Sequence, residues 1–170
     1  MPFVRIDNVE LEVEAGVTVL EAAKAEGIEI PYYCYHPALE IVGSCRMCAV
    51  QIEGMPKLQV ACNTAIGNAP PNRKIDGKYD MVVHTQSDIM KQERKNTLEF
   101  LLLNHPLDCP VCDQAGECDL QNFYMEIGQY DSRFVENKIK RNMGLNSKLY
   151  KDCGYKFIKK KIFKKIKQKK

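Results

Sequence analysis

An α+β fold is what this sequence predicts, and three features carry that expectation. Short alternations of apolar and polar residues occur near the start, again after residue 48 and again after residue 79, each bounded by turn residues. Two other stretches carry helix signals, one with a capped start at Thr18 and one with apolar spacing after Ser87. The connections between them are rich in cysteine: eight lie at 34, 45, 48, 62, 109, 112, 118 and 153.

The elements follow in order. "FVRIDNVELEVEAG" at 3–16 alternates on both sides of Asp7-Asn8, as a β-hairpin with a tight turn near Asn8 would. "TVLEAAKAEGI" at 18–28 is a short helix. Thr18 and Glu21 have capping-box spacing, Gly27 is a stop, and Val19, Ala22 and Ala23 form an apolar face. A long cysteine-bearing loop leads to "CAVQIEG" at 48–54, a further strand. Residues 63–78 are loop-rich, with Pro70-Pro71, and "YDMVVHT" at 79–85 returns as a late strand. A hairpin, a helix, a long loop and returning strands make residues 1–86 a β-grasp, ferredoxin-like unit.

After residue 86 the period changes. Ile89, Met90, Thr97, Leu98, Leu101 and Leu102 share a helical face, with Lys91, Glu93, Arg94 and Lys95 outside. Thr85 followed by Asp88 is a weak start signal. The helix should end near His105-Pro106, because a residue before proline avoids helical geometry. A second helix is expected over 119–130. Phe123, Tyr124, Met125, Tyr130 and Phe134 are expected in a core. Residues 87–136 thus form a small helical domain, and 137–170 a basic tail.

The 170 residues are 45% hydrophobic and 28% charged, as in a soluble globular protein. The net charge of +3 misleads. Nine of the 25 basic residues and none of the 22 acidic ones fall in 156–170, so residues 1–155 carry −6. The body is mildly acidic, and nucleic acid is not an expected partner. The first residues lack the basic and apolar regions of a signal peptide, and the run "FLLL" is too short to span a bilayer. The expected compartment is reducing, where clustered cysteines serve metals more often than disulfides. No GxGxxG, phosphate loop or Ser/His/Asp arrangement occurs, so binding of NAD, flavin or nucleotide by this chain is not expected.

Two ligand sets stand out. Cys34, Cys45, Cys48 and Cys62 form the first. The Cys-x-x-Cys pair Cys45/Cys48 lets one loop present two thiolates, and Cys34 and Cys62 close the site from its flanks. Gly43 and Ser44 leave room for backbone N–H groups to approach, and Arg46 adds positive charge. Four cysteines suit structural zinc or a [2Fe–2S] cluster. His105, Cys109, Cys112 and Cys118 form the second set, in "NHPLDCPVCDQAGECDL". A zinc site of three cysteines and one histidine is one reading. Pro106, Pro110, Ala115 and Gly116, small or rigid, favour a bulkier cluster. His36 and His84 read as ordinary polar residues.

"HPLDCPVCDQAGECDLQ" with the later "YDSRF" resembles the N-terminal region of the large iron–sulfur subunits of respiratory NADH–quinone oxidoreductase (complex I), called the G subunit in bacteria. "YCYHPALEIVGSCRMCAVQIEG" is similar to the [2Fe–2S] loop of the same subunits, and the likeness runs from about residue 3 to about residue 137. It implies a [2Fe–2S] cluster on Cys34, Cys45, Cys48 and Cys62, and a [4Fe–4S] cluster on His105, Cys109, Cys112 and Cys118. It also implies electron relay from a flavin subunit toward quinone, with no substrate site on this chain. The implied partners are other peripheral-arm subunits, including the flavin and NADH-binding one. The implied place is the bacterial cytoplasm, peripheral on the inner membrane. Related modules occur in the diaphorase part of NAD-reducing hydrogenases, in iron-only hydrogenases and in some formate dehydrogenases. A zinc-stabilised interaction module is the non-redox alternative.

The C-terminus departs from that family, whose members continue into a further cysteine-rich ferredoxin segment and a molybdopterin-enzyme-like domain. Here only Cys153 and a lysine-rich stretch follow, as expected of a truncated or frameshifted product or, as the lesser reading, of a short or split version of the subunit. Ile158, Ile162 and Ile166 among lysines offer the lesser reading of a helix resting directly on anionic lipid, beside membrane association through the complex.

Overall fold

The computed structural model describes residues 1–67, 75, 77–106 and 108–139. Residues 1–135 form one compact unit, and a second begins at Glu136. Cys153 and the three isoleucines of the tail lie outside the described residues.

Strands β1 (Phe3–Ile6) and β2 (Val9–Glu12) pair as the expected antiparallel hairpin. Its turn holds Asp7 in the left-handed region at φ 50°, which aspartate tolerates better than most residues. The Asp7 carboxylate accepts bonds from both the backbone N–H and the hydroxyl of Thr85, and so ties the hairpin turn to the chain leaving the late strand that ends at His84. This use of Thr85 replaces the helix-start role its sequence position suggested.

Helix α1 (Val19–Ala25) begins at a complete capping box. The Glu21 N–H donates to Thr18 Oγ1 at 3.2 Å, and the Thr18 N–H donates to Glu21 Oε2 at 3.0 Å. It ends where the Gly27 N–H reaches the Lys24 carbonyl and the Ile28 N–H reaches that of Ala23. That paired closure needs a left-handed residue, supplied by Gly27 at φ 73°.

Strands β3 (Ala49–Ile52), β4 (Gln59–Val60) and β5 (Met81–His84) complete the sheet, in the order β2-β1-β5-β3-β4. β5 lies parallel to β1, and the other pairings are antiparallel. The sheet is therefore mixed, with the early hairpin joined to the last strand across its centre. Val4, Ile6, Val50 and Val83 meet Val19, Leu20 and Ala23 of α1 in the main core. Cys48 and Cys62 belong to this core. Two of the four cysteines of the first ligand set are thus built into the main core, while Cys34 and Cys45 are half-buried.

Helix α2 (Asp88–Leu102) runs as expected, with Ser87 at its N-cap. Its buried face, however, is Met90, Arg94 and Leu98, spaced by four, while Ile89 is 57% and Leu101 37% exposed. The buried stripe is shifted by part of a turn from the expected one, because it includes a charged residue. Helix α3 (Asp119–Ile127) is shorter than expected and has no fully buried residue. Met125, Tyr130 and Phe134 are exposed while Phe123 and Tyr124 are half-buried, so among the described residues the expected aromatic core forms only in part.

Candidate metal centres

The first set is assembled from three segments. The chain leaving α1 brings Cys34, and Tyr35 fixes that loop by donating from its hydroxyl to Glu21 Oε1 at 2.9 Å. The loop from Gly43 to Arg46 coils inward through two left-handed residues, Gly43 at φ 64° and Arg46 at φ 61°. Sequence reading found the charge of Arg46 but not its backbone strain. The coil aims the Cys45 N–H at Cys34 Sγ, 3.5 Å away. Cys48 lies just before β3. The Cys48 carbonyl accepts from the Ala61 N–H at 2.9 Å, which holds the short 3₁₀ turn Ala61–Asn63 containing Cys62.

The four thiols act on one another: Cys45 lowers the Cys34 thiol, while Cys48, Cys34 and Cys45 all raise that of Cys62. Burial pushes the Cys34 thiol up, but donors from Cys45 and Ser44 outweigh it and hold it down at about 7. Burial first, then the hydrogen shared with Cys48, pushes Cys62 up to about 12. Four cysteine sulfurs gathered from three segments suit a [2Fe–2S] cluster in donor chemistry, as they do zinc.

The second set follows α2 through a chain of tight turns. The His105 N–H donates to the Leu102 carbonyl, so the histidine is delivered at the helix end. A 3₁₀ turn spans Cys109–Val111, and the Cys112 N–H closes on the Cys109 carbonyl at 3.2 Å. The Gly116 N–H donates to Gln121 Oε1, folding the loop back on α3, whose N-cap is Cys118. Gly116 takes φ 86°, which a side chain would resist. Cys118 is half-buried, whereas His105, Cys109 and Cys112 are exposed. Three sulfurs and an imidazole on one curled loop suit an iron–sulfur cube in donor chemistry.

His36 and His84 stay apart from both sets. His36 Nδ1 accepts from the Ala38 N–H, and His84 Nε2 lies 2.8 Å from Glu53 Oε1.

A ferredoxin-like sheet with two thiols of one set in its core and two at its edge, followed by a histidine–cysteine loop, defines the class of iron–sulfur protein. Residues 3–69 match the 2Fe-2S iron-sulfur cluster binding domain. Residues 94–133 match the NADH-ubiquinone oxidoreductase-G iron-sulfur binding region. In particular, the chain matches the NADH-quinone oxidoreductase G subunit of Rickettsia bellii at 47% identity over 133 residues, covering 78% of this chain and 18% of that protein. It is 49% identical over 135 residues to the corresponding G subunit 2 of Rhizobium meliloti, covering 79% of this chain and 14% of that one. It is 46% identical over 133 residues to the mitochondrial NADH-ubiquinone oxidoreductase 78 kDa subunit of Candida albicans, covering 78% and 17%. The chain therefore spans less than a fifth of the length of these relatives. Among solved structures, a chain in the crystal structure of an NAD+-reducing [NiFe]-hydrogenase in the H2-reduced state aligns with a TM-score of 0.68 and 29% identity. That alignment covers 82% of this chain and 54% of that one.

Proposed function

We propose that this chain is an electron-relay module of an NADH:quinone oxidoreductase, passing electrons from a flavin subunit toward quinone. The observation that carries this reading is that the cysteine-bearing sheet domain and the histidine–cysteine loop fall within the two iron–sulfur family matches, over residues 3–69 and 94–133. Residues 1–86 hold the [2Fe–2S] cluster on Cys34, Cys45, Cys48 and Cys62, and 87–136 hold the [4Fe–4S] cluster on His105, Cys109, Cys112 and Cys118. Residues 137–170 are the basic tail. When bound, the clusters take up and release single electrons.

The chain's own residues do the rest. The β-grasp core encloses Cys48 and Cys62 and keeps water from that side of the site. Backbone N–H groups from the Gly43–Arg46 coil supply donors to thiolate sulfur. Glu21 holds Tyr35, and through it the Cys34 loop, in place. No helix among the described residues is long and apolar enough to cross a membrane. In this reading the chain sits in the bacterial cytoplasm and reaches the inner membrane through neighbouring subunits.

The hydrogenase likeness supports a second reading, in which the same module serves the diaphorase part of an NAD-reducing hydrogenase. Co-purification separates the two, since the tagged chain should bring down either quinone-linked or hydrogenase subunits. The iron–sulfur assignment itself is tested by anaerobic purification. A brown protein with acid-labile sulfide is expected, and a colourless protein with stoichiometric zinc would overturn it. Replacing Cys112→Ser should then abolish the [4Fe–4S] signal and spare that of the [2Fe–2S] cluster.

A further inference from the structure

Arg94 is the charged member of the buried stripe of α2, and it is 5% exposed. Its Nε and Nη2 are buried, and among the described residues neither has a hydrogen-bond partner. Those two nitrogens form the side-on fork of a guanidinium, which matches the two oxygens of a carboxylate. Arg133 uses the same two nitrogens to hold Glu99. A buried donor left without an acceptor is costly, and a charged one more so. The Arg94 fork therefore calls for an acceptor that the described residues do not supply.

A cleft of about 630 Å³ opens beside Arg94, between the chain leaving α1 and one face of α3. That volume falls among small-molecule sites, which run from about 300 to about 1,000 Å³. Ile28 from the loop and Phe123 and Ile127 from α3 give the cleft apolar walls. Four exposed charged residues line it as well: Lys24, Glu29, Asp119 and Glu126. Desolvation lowers the Arg94 pKa, and the charges of Asp7 and then Glu126 oppose it. Glu126 belongs to the cleft, so the charged end of Arg94 lies within reach of that space.

We propose that this cleft binds a small monocarboxylate with an apolar body, its two oxygens taken by Arg94 Nε and Nη2 and its hydrocarbon part lying along Phe123 and Ile127. The exposed charges narrow the class. Glu29, Asp119 and Glu126 outnumber Lys24, so a phosphate dianion meets about twice the repulsion that a monocarboxylate does. Water screens these exposed groups, whereas the buried fork acts at full strength on what reaches it. A cation would suit the acidic residues but leave the fork without an acceptor. Because the walls come from both α1 and α3, a bound ligand also clamps α3 to the sheet domain. None of the cluster ligands takes part, and the site goes beyond the electron-relay reading without depending on it.

The test is calorimetric titration of the full 170-residue chain, assembled anaerobically, with octanoate, octylamine and inorganic phosphate. Octanoate should bind saturably at one site, and the other two should not. Amide exchange over 119–127 should slow when octanoate is present. Arg94→Lys keeps the charge but loses the fork, and should weaken octanoate binding about tenfold or more. Glu126→Gln changes an exposed residue and should strengthen binding about two- to fivefold. The inference is overturned by octanoate that does not saturate, by phosphate or octylamine binding as well as octanoate, or by an Arg94→Lys variant that binds like wild type. Where Arg94→Lys does not fold, Glu126→Gln decides, and an affinity no higher than that of wild type overturns the site.

Discussion

Arg133 forks onto Glu99. Its backbone N–H donates to Glu99 Oε1 at 2.7 Å and its Nε donates to Oε2 at 2.8 Å, while Nη2 reaches Asn96 Oδ1 at 2.9 Å and also Glu99. The "YDSRF" segment is thereby strapped to α2 ahead of the His105 loop. Bonds from the Arg133 side chain, then from its backbone, hold the Glu99 carboxyl below its ordinary 4.5.

Glu99→Gln keeps the shape of that side chain and removes its charge. Amide exchange at Arg133 and through 129–134 should accelerate, while α1 and the central strands stay unchanged. The pH dependence has a definite sign. A depressed carboxylate stabilises above its ordinary value, so the strap should weaken only as pH falls below 4.5. Hydrogen exchange followed by mass spectrometry checks both, and equal loosening of α1 would show that the contact is not local.

Removing the clusters should loosen 87–134 more than the sheet. α2 buries only Met90, Arg94 and Leu98, and α3 buries no residue fully. The grasp has Val4, Ile6, Leu20, Val50, Ile66 and Val83 in one cluster. Ligand bonds are a larger share of what orders the helical part, so their loss falls there. Hydrogen exchange on the cluster-free protein should show faster opening in 87–134 than in 3–30. The reverse order would contradict the argument.

Arg46 holds φ 61° in the coil before Cys48. For a residue with a side chain that conformation costs roughly 1–2 kcal/mol, and glycine adopts it freely. Arg46→Gly should leave folding stability within about 1 kcal/mol, since relief of strain offsets the added freedom of the unfolded chain. Arg46→Val should lower [2Fe–2S] occupancy sharply, because a β-branched residue resists this geometry. Urea midpoints and the visible spectrum read both out. A valine variant as well loaded as the glycine variant would refute the account.

Much of this is legible in the sequence for a physical reason. The Thr18/Glu21 box and the Gly27 stop are local devices whose bonds join residues three to five apart, so spacing alone reveals them. The hairpin around Asp7 is equally local. Arg94 escapes such reading because its charge excludes it from an apolar stripe. It is 5% exposed, desolvation lowers its pKa, and Asp7 and Glu126 oppose that from other elements. Nothing within α2 announces such distant company. Similarly, Met125 and Tyr130 look like core residues in composition, but no layer among the described residues covers them.

Histidine in the second set calls for an electrostatic test. His105 sits at the end of α2, where its N–H is bonded to the Leu102 carbonyl, and the residue is exposed. An imidazole reaches farther than a thiol from that position, so geometry alone could justify it. Charge gives a second reason. Exchanging one thiolate for a neutral imidazole removes one unit of negative charge from the ligand shell, and an added electron then enters a less negative object. Rieske centres, in which two histidines replace two cysteines, move to higher potential in this way. His105→Cys, where it still assembles, should therefore lower the [4Fe–4S] potential and leave the [2Fe–2S] potential in place. Exposure to water screens the added charge and limits the size of the shift, but not its sign. An EPR-monitored titration of both proteins decides the matter. An unchanged or higher [4Fe–4S] potential in the cysteine variant would mean that histidine is present for its reach and not for its charge.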